Sequence, residues 1–171
     1  MNLVITDKPL CFCEKKTGNY KYIDLSSLRI LNCLGCYSCW VKTPGACVIK
    51  DDAPWVYPLI AKAENLIYVT KVVWGSYDIP FKTLFERSIP IQKAFIRLHN
   101  GETHHEQRDV KEKKAVIIAY DCKTKEEEQT FRYLVSRNAN NMNFKEYQVF
   151  FAAEENLAEI VSEEVKKWEN C

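Results

Sequence analysis

The stretch Leu66 to Val73, LIYVTKVV, is apolar on both sides of a strand's alternation and rich in β-branched and aromatic residues. A run of this kind suits a strand covered on both faces, as at the centre of a parallel sheet. Parallel neighbours need crossovers of a dozen or more residues, usually helical, so the chain is expected to be α/β. Asn2–Thr6 (NLVIT), Lys114–Tyr120 (KAVIIAY) and Tyr147–Ala152 (YQVFFA) read as further buried strands, and Tyr20–Leu25 (YKYIDL) alternates as another.

Helical patterns fill most of the intervals. Asp52–Ala63 places Val56, Leu59, Ile60 and Ala63 on one face. Pro80 opens a helix to Arg87, with Phe81, Leu84 and Phe85 inward. Thr124 and Glu127 form a capping-box signature for a helix to about Arg137. Glu154–Trp168 carries a stripe of Leu157, Ile160, Val161, Val165 and Trp168. Residues 95–107 fit no crossover helix; their Asn100-Gly101 pair marks a β-hairpin insertion. The link from Asp7 to Asn19 breaks at Pro9 and Gly18 and has no helical period, so the first helix is expected to be missing or reduced. With right-handed crossovers the five parallel strands are expected in the order 2-1-3-4-5.

Leu31 to Asp52, LNCLGCYSCWVKTPGACVIKDD, holds Cys33, Cys36, Cys39 and Cys47 with spacing C-x2-C-x2-C-x7-C. Thiolates at this density permit an iron–sulfur cluster such as [4Fe-4S], tetrahedral zinc, or a redox dithiol. Four unligated thiols acting as small hydrophobes are the further alternative. Asp51 and Asp52, just before Ala53-Pro54, are expected to cap the following helix.

The cysteine segment resembles the cysteine-bearing loop of flavodoxin-like NAD(P)H-dependent FMN reductases and iron–sulfur flavoproteins. WGSYDIPFKTLFERSIP, from Trp74, is similar to that family's flavin-ring loop and following helix, and NGETHHEQR, from Asn100, is similar to a segment of the same subgroup. The resemblance implies a three-layer flavodoxin-like fold spanning residues 1–171 as one domain. It implies FMN as cofactor and NAD(P)H as substrate, with electrons passed to a quinone, a flavin or another small acceptor. It places Trp74, Gly75, Ser76, Tyr77 and Asp78 at the flavin, with Asp121 and Cys122 as a second wall. Family members usually carry a Gly-Ser-Pro-Arg-like phosphate loop after the first strand. Here Thr6-Asp7-Lys8-Pro9 stands there, which supplies a repelling carboxylate, removes an amide donor and leaves Lys8 as the compensating charge. Two alternatives therefore stand beside the reductase: a member without FMN serving as a structural or regulatory partner, and an electron-transfer module built on the cysteine loop.

Lys plus Arg number 24 and Asp plus Glu 23, so no charge excess points to nucleic acid or an anionic membrane. No apolar run is long enough to span a bilayer, and the first residues lack a basic, apolar leader, so a cytoplasmic chain is expected. His104 and His105, adjacent on a strand, should face opposite ways. Cys11 and Cys13 read as part of a variable loop, and Cys171 as a terminal, unpaired thiol. Phe95, Ile96 and Leu98 on the projecting hairpin suggest a homodimer or a related flavoprotein as partner.

Overall fold

The computed structural model describes residues 1–12 and 20–169. The strands are β1 (Asn2–Thr6), β2 (Tyr20–Asp24), β3 (Asn65–Val73), β4 (Ser76–Tyr77), β5 (Gln92–His99), β6 (Glu102–Gln107), β7 (Lys113–Tyr120) and β8 (Phe144–Ala152). The helices are α1 (Ser38–Val41), α2 (Ala53–Lys62), α3 (Ile79–Arg87), α4 (Lys125–Met142) and α5 (Leu157–Glu169).

The main sheet runs β2-β1-β3-β7-β8, with every pair in that path parallel. This is the expected 2-1-3-4-5 order. Side-chain alternation explains the apolar runs. Leu3, Ile5, Leu66, Tyr68, Ala115 and Ile117 join the cluster under α2, α3 and α4. Val4, Ile67, Val69, Ile118 and Tyr120 join the cluster under α5. Both faces are covered, so neither set can be polar. Leu157, Val161 and Val165 supply the α5 stripe, as the sequence implies.

Among the described residues of the first link, Asp7 to Phe12 form no helix, and Phe12 packs against Tyr20 and Tyr22. The rest of that link, residues 13–19, lies outside the described residues, with the readings for Cys13 and Gly18; Cys171 does too. The hairpin begins at Gln92 and turns at Asn100-Gly101, where both φ angles are positive (52° and 78°). No helix among the described residues is long and apolar enough to cross a membrane.

Three local expectations need correction. α4 continues past Arg137 to Met142, because Ala139 and Met142 extend its buried face through an amide-rich stretch, and β8 starts at Phe144. Residues 74–79 are not a plain loop. Trp74 and Gly75 (φ 56° and 71°) turn β3 back onto β4, pairing Val73 with Ser76 and Val72 with Tyr77. Asp52 makes no side-chain cap to α2. Its carboxylate instead accepts from Arg29 N–H at 2.7 Å, closing the base of the cysteine loop.

Candidate functional site

The strand order reverses between β1 and β3, and the carboxyl ends of β1, β3 and β7 meet there. In open α/β sheets this is where ligands bind. Asp7 follows β1 directly and is 7% exposed. Its Oδ2 accepts from the Lys71 N–H at 2.6 Å and its Oδ1 from the Tyr120 hydroxyl at 2.9 Å, so one carboxylate ties three strand ends together. Burial raises the Asp7 carboxyl above its ordinary range, against the lowering effect of those two donors. Burial, then the charge of Asp7, raises the Tyr120 phenol.

Around this centre the ions are paired. Lys8 bonds Glu154 and lies 5.7 Å from the Tyr120 ring centre. Lys71 Nζ is 2.9 Å from Asp121, which also bonds Lys123. These two lysines draw the Asp121 carboxyl below its ordinary value, and Asp121 in turn raises Lys71. A groove of about 450 Å³ opens beside them between the ends of β7 and β8, lined by Asp121, Cys122, Phe151, Ala152 and Glu154 among others.

The sequence-read flavin-ring residues divide into exposed and buried members. Trp74 is 88% exposed at the tip of the β3–β4 turn. Gly75 holds that tip against α4: a Cβ there would lie 2.8 Å from Thr130 Cβ, and its φ of 71° independently favours glycine. Ser76 pairs with Val73. Tyr77 points inward, 2% exposed, packing on Phe81, Phe85 and Phe131. Asp78 caps α3, its Oδ1 accepting from Ile79 N–H at 2.7 Å. Asp121 and Cys122 stand at the groove, and Cys122 Sγ donates to Thr124 O at 3.4 Å. Tyr120 and Lys71 escaped the sequence reading; their side chains serve this edge through partners remote in the chain, which no local pattern announces.

The cysteine loop forms a second constellation, anchored by Arg87 at the end of α3. The Arg87 guanidinium meets Asp51 through Nη1–Oδ2 at 2.5 Å and Nη2–Oδ1 at 2.9 Å. Nη1 also donates to Leu31 O at 2.7 Å, and Nη2 to Cys47 Sγ at 3.4 Å. Cys47 N–H donates to the Tyr57 hydroxyl at 3.1 Å, and Gly35 N–H to Cys33 Sγ at 3.5 Å. Burial, then the nearness of Cys47, Cys33 and Cys36, raises the Cys39 thiol. The side-chain and backbone hydrogen bonds of Ser38 lower that of the exposed Cys36. Thiols with N–H donors aimed at two of their sulfurs are the chemistry a soft-ligand centre draws on. Yet no three His, Cys, Asp or Glu side chains among the described residues stand close enough to hold a metal ion in this conformation.

The hairpin links this loop to α4. His105 packs on Trp40 with ring centres 4.7 Å apart, and Trp40 Nε1 donates to Gln92 O at 3.0 Å. His104 faces the other way, placed between Asn141 Oδ1 (2.9 Å) and Glu102 Oε2 (2.8 Å). The two histidines therefore diverge as strand geometry requires.

FMN can be tested against these residues. The exposed indole past the end of β3 suits a flavin ring; the Asp7 carboxylate at the end of β1 does not suit a phosphate.

No family model matches the chain. Among curated proteins it is similar to the iron-sulfur flavoprotein of Methanosarcina thermophila, 29% identical over 76 residues, which is 44% of this chain and 39% of that protein. It is also similar to an iron-sulfur flavoprotein of Methanocaldococcus jannaschii, 33% identical over 78 residues, 46% of this chain and 39% of that one. The matched region thus spans about two fifths of these relatives' length. Among solved structures it is similar to an NAD(P)H:quinone oxidoreductase from Methanothermobacter marburgensis, with TM-score 0.56 and 14% identity over 98% of this chain and 96% of that one. An FMN-dependent NADH-azoreductase from Bacillus anthracis, solved with FMN, gives TM-score 0.56 and 12% identity over 98% and 99%. At such identities the likeness is one of fold, and the fold is that of the flavodoxin-like reductases.

Proposed function

We propose that this chain is an oxidoreductase of the flavodoxin-like reductase type, passing electrons from NAD(P)H through a flavin to a small acceptor such as a quinone or another flavin. The observation that carries this reading is Trp74, an indole 88% exposed just past the carboxyl end of β3, the strand that borders the sheet's switch point. A bound flavin would supply the hydride and electron chemistry. The chain's own groups would position it. Trp74 offers a face for stacking, Gly75 lets the turn lie against α4, and the Lys71–Asp121 pair holds the neighbouring strand ends in register. The fold neighbours described as NAD(P)H and NADH oxidoreductases support the same class.

The direct check is flavin binding followed by fluorescence, comparing the wild-type chain with Trp74→Ala. A stacked indole contributes about 0.5–1.5 kcal/mol, so the variant is expected to bind up to about tenfold more weakly. Equal binding by both proteins would place the flavin elsewhere.

A second reading has its own support. The relatives named iron-sulfur flavoproteins, together with the Gly35 and Arg87 donors on Cys33 and Cys47, favour a thiolate-bound cluster that relays electrons. Its test is an iron and acid-labile sulfide assay on anaerobically purified protein beside Cys36→Ser. About four irons per chain, lost in the variant, would establish it. For quaternary state, the exposed Phe95, Ile96 and Leu98 of β5 support a second copy or a related flavoprotein as partner.

A further inference from the structure

We propose that the cavity at the foot of the hairpin binds a small uncharged aromatic ring bearing a carboxamide-type edge, one donor beside one acceptor. The site is independent of the flavin reading. The cavity has a volume of about 200 Å³ and lies between the end of α3, the turn at Ile89–Ile91, the start of β5 and the last turns of α4. All its lining residues belong to the described chain. They stand on the α3–α4 face of the sheet, whereas Phe12 and Tyr20, on either side of residues 13–19, pack on the α5 face.

The walls set the ring. Phe85, Ile89, Ile91 and Met142 make them largely apolar. An apolar cavity of about 150 Å³ holds benzene, so about 200 Å³ takes one six-membered ring with a substituent of a few atoms. None of the lining residues is charged, so an anion or cation entering here would lose its water without gaining an ionic partner.

The amides set the edge. Trp40 Nε1 holds the Gln92 main-chain carbonyl at 3.0 Å, while no described residue bonds the Gln92 side-chain amide. Its polar neighbours in the cavity are committed. Asn138 hydrogen-bonds the Tyr77 hydroxyl, Asn141 Oδ1 lies 2.9 Å from His104 Nδ1, and Ser88 Oγ donates to Leu84 O at 2.7 Å. Gln107, opposite Gln92 in the ribbon's register, donates to Asn141 O at 3.0 Å and leaves its own buried Oε1 without a partner among the described residues. This end of the ribbon therefore carries more amide groups than bonds for them. A free glutamine amide pairs at two points with a donor beside an acceptor, as it does with the edge of adenine. A carboxamide meets that demand while its ring occupies the apolar walls. The site is remote from Trp74: Gly75 lies against Thr130, and Asn138 follows eight residues later on α4, ~12 Å along the helix.

The experiment titrates the protein with benzamide, toluene and benzoate, following the side-chain amide signals of Gln92, Asn138 and Asn141 and the indole signal of Trp74 by nitrogen-15 NMR. Benzamide is expected to shift the three amides and leave Trp74 in place. Toluene keeps the ring but lacks the edge and should bind roughly tenfold more weakly, and benzoate at least as weakly as toluene. In Gln92→Leu, benzamide binding should fall about tenfold while toluene binding holds or rises, a reversal that general loosening of the fold would not give. The wild-type comparison decides the matter even where that variant does not fold. Benzamide binding no tighter than toluene would overturn the carboxamide edge. No shift of the three amides with any of the probes would overturn the site, and either result leaves the flavin reading standing.

Discussion

Arg87 and Asp51 form a bidentate ion pair with both side chains wholly shielded from solvent. The pair joins the end of α3 to the loop that precedes α2, and through Nη2 it reaches Cys47. Burial pushes the Asp51 carboxyl up, but the guanidinium's hydrogen bonds and charge, aided by the Leu31 and Ala53 amides, outweigh it and hold the carboxyl low. The pair ties the carboxyl-terminal end of the cysteine loop to the end of α3.

Removing one partner of such a pair strands the other in a dry site, which costs about 3–5 kcal/mol. Arg87→Met is therefore expected to destabilise the chain by that amount in urea unfolding. Asp51 has a depressed folded pKa, so its stabilising share is present above the ordinary carboxylate value and is lost as pH falls through the folded value. The acid limb of the stability profile should therefore flatten in Asp51→Asn. An unchanged urea midpoint in Arg87→Met would contradict the anchoring role.

Lys113 is 1% exposed, and its ammonium donates to Lys111 O at 2.6 Å and Met142 O at 3.2 Å. Burial lowers its pKa to about 8. The folded state therefore releases a proton more readily than the unfolded chain, and the charged ammonium opposes folding at neutral pH. Stability should rise as pH increases from about 8 toward the ordinary lysine value. In Lys113→Met that rise should vanish from thermal melts collected across the range. If the wild-type profile is flat there, the burial argument fails.

Much of the fold was legible because the physics acted locally. β1, β3 and β7 are covered on both faces, so their apolar runs identify them whatever their partners. The Asn100-Gly101 turn and the Thr124 cap, whose Oγ1 accepts from Glu127 N–H, are likewise short-range signals. The candidate sites were less legible, because their decisive bonds are long-range. Arg87 meets Asp51 across 36 residues, and Tyr120 meets Asp7 across 113. Asp51 does accept from the Ala53 N–H at the start of α2 (3.2 Å), as its place before a proline suggests, and only the position of Arg87 shows that it serves an ion pair as well. Tyr77 reads as a flavin contact through the family resemblance of its loop; in the structure the β3–β4 register turns it inward, which the sequence of a two-residue strand cannot signal.

The four loop cysteines should differ in reactivity. Cys36 is exposed and its thiol is lowered by Ser38, whereas Cys39 is raised by burial and by its neighbouring thiols. The thiolate is the nucleophile, so iodoacetamide should modify Cys36 before Cys39, with onset at lower pH. Peptide mass mapping over a time course would show the order. Simultaneous modification of both would contradict the assigned environments, and protection of all four would favour the metal-bound reading.

The central claim is that this chain moves electrons from reduced nicotinamide to a flavin at the edge marked by Trp74. The most direct measurement is the rate of NADH and NADPH oxidation by the purified protein with added flavin, FMN or riboflavin, in the wild type and in Trp74→Ala. The account expects turnover that requires both protein and flavin, saturates with flavin, and shows a flavin KM roughly tenfold higher in Trp74→Ala. Nicotinamide oxidation no faster than with flavin alone would contradict it.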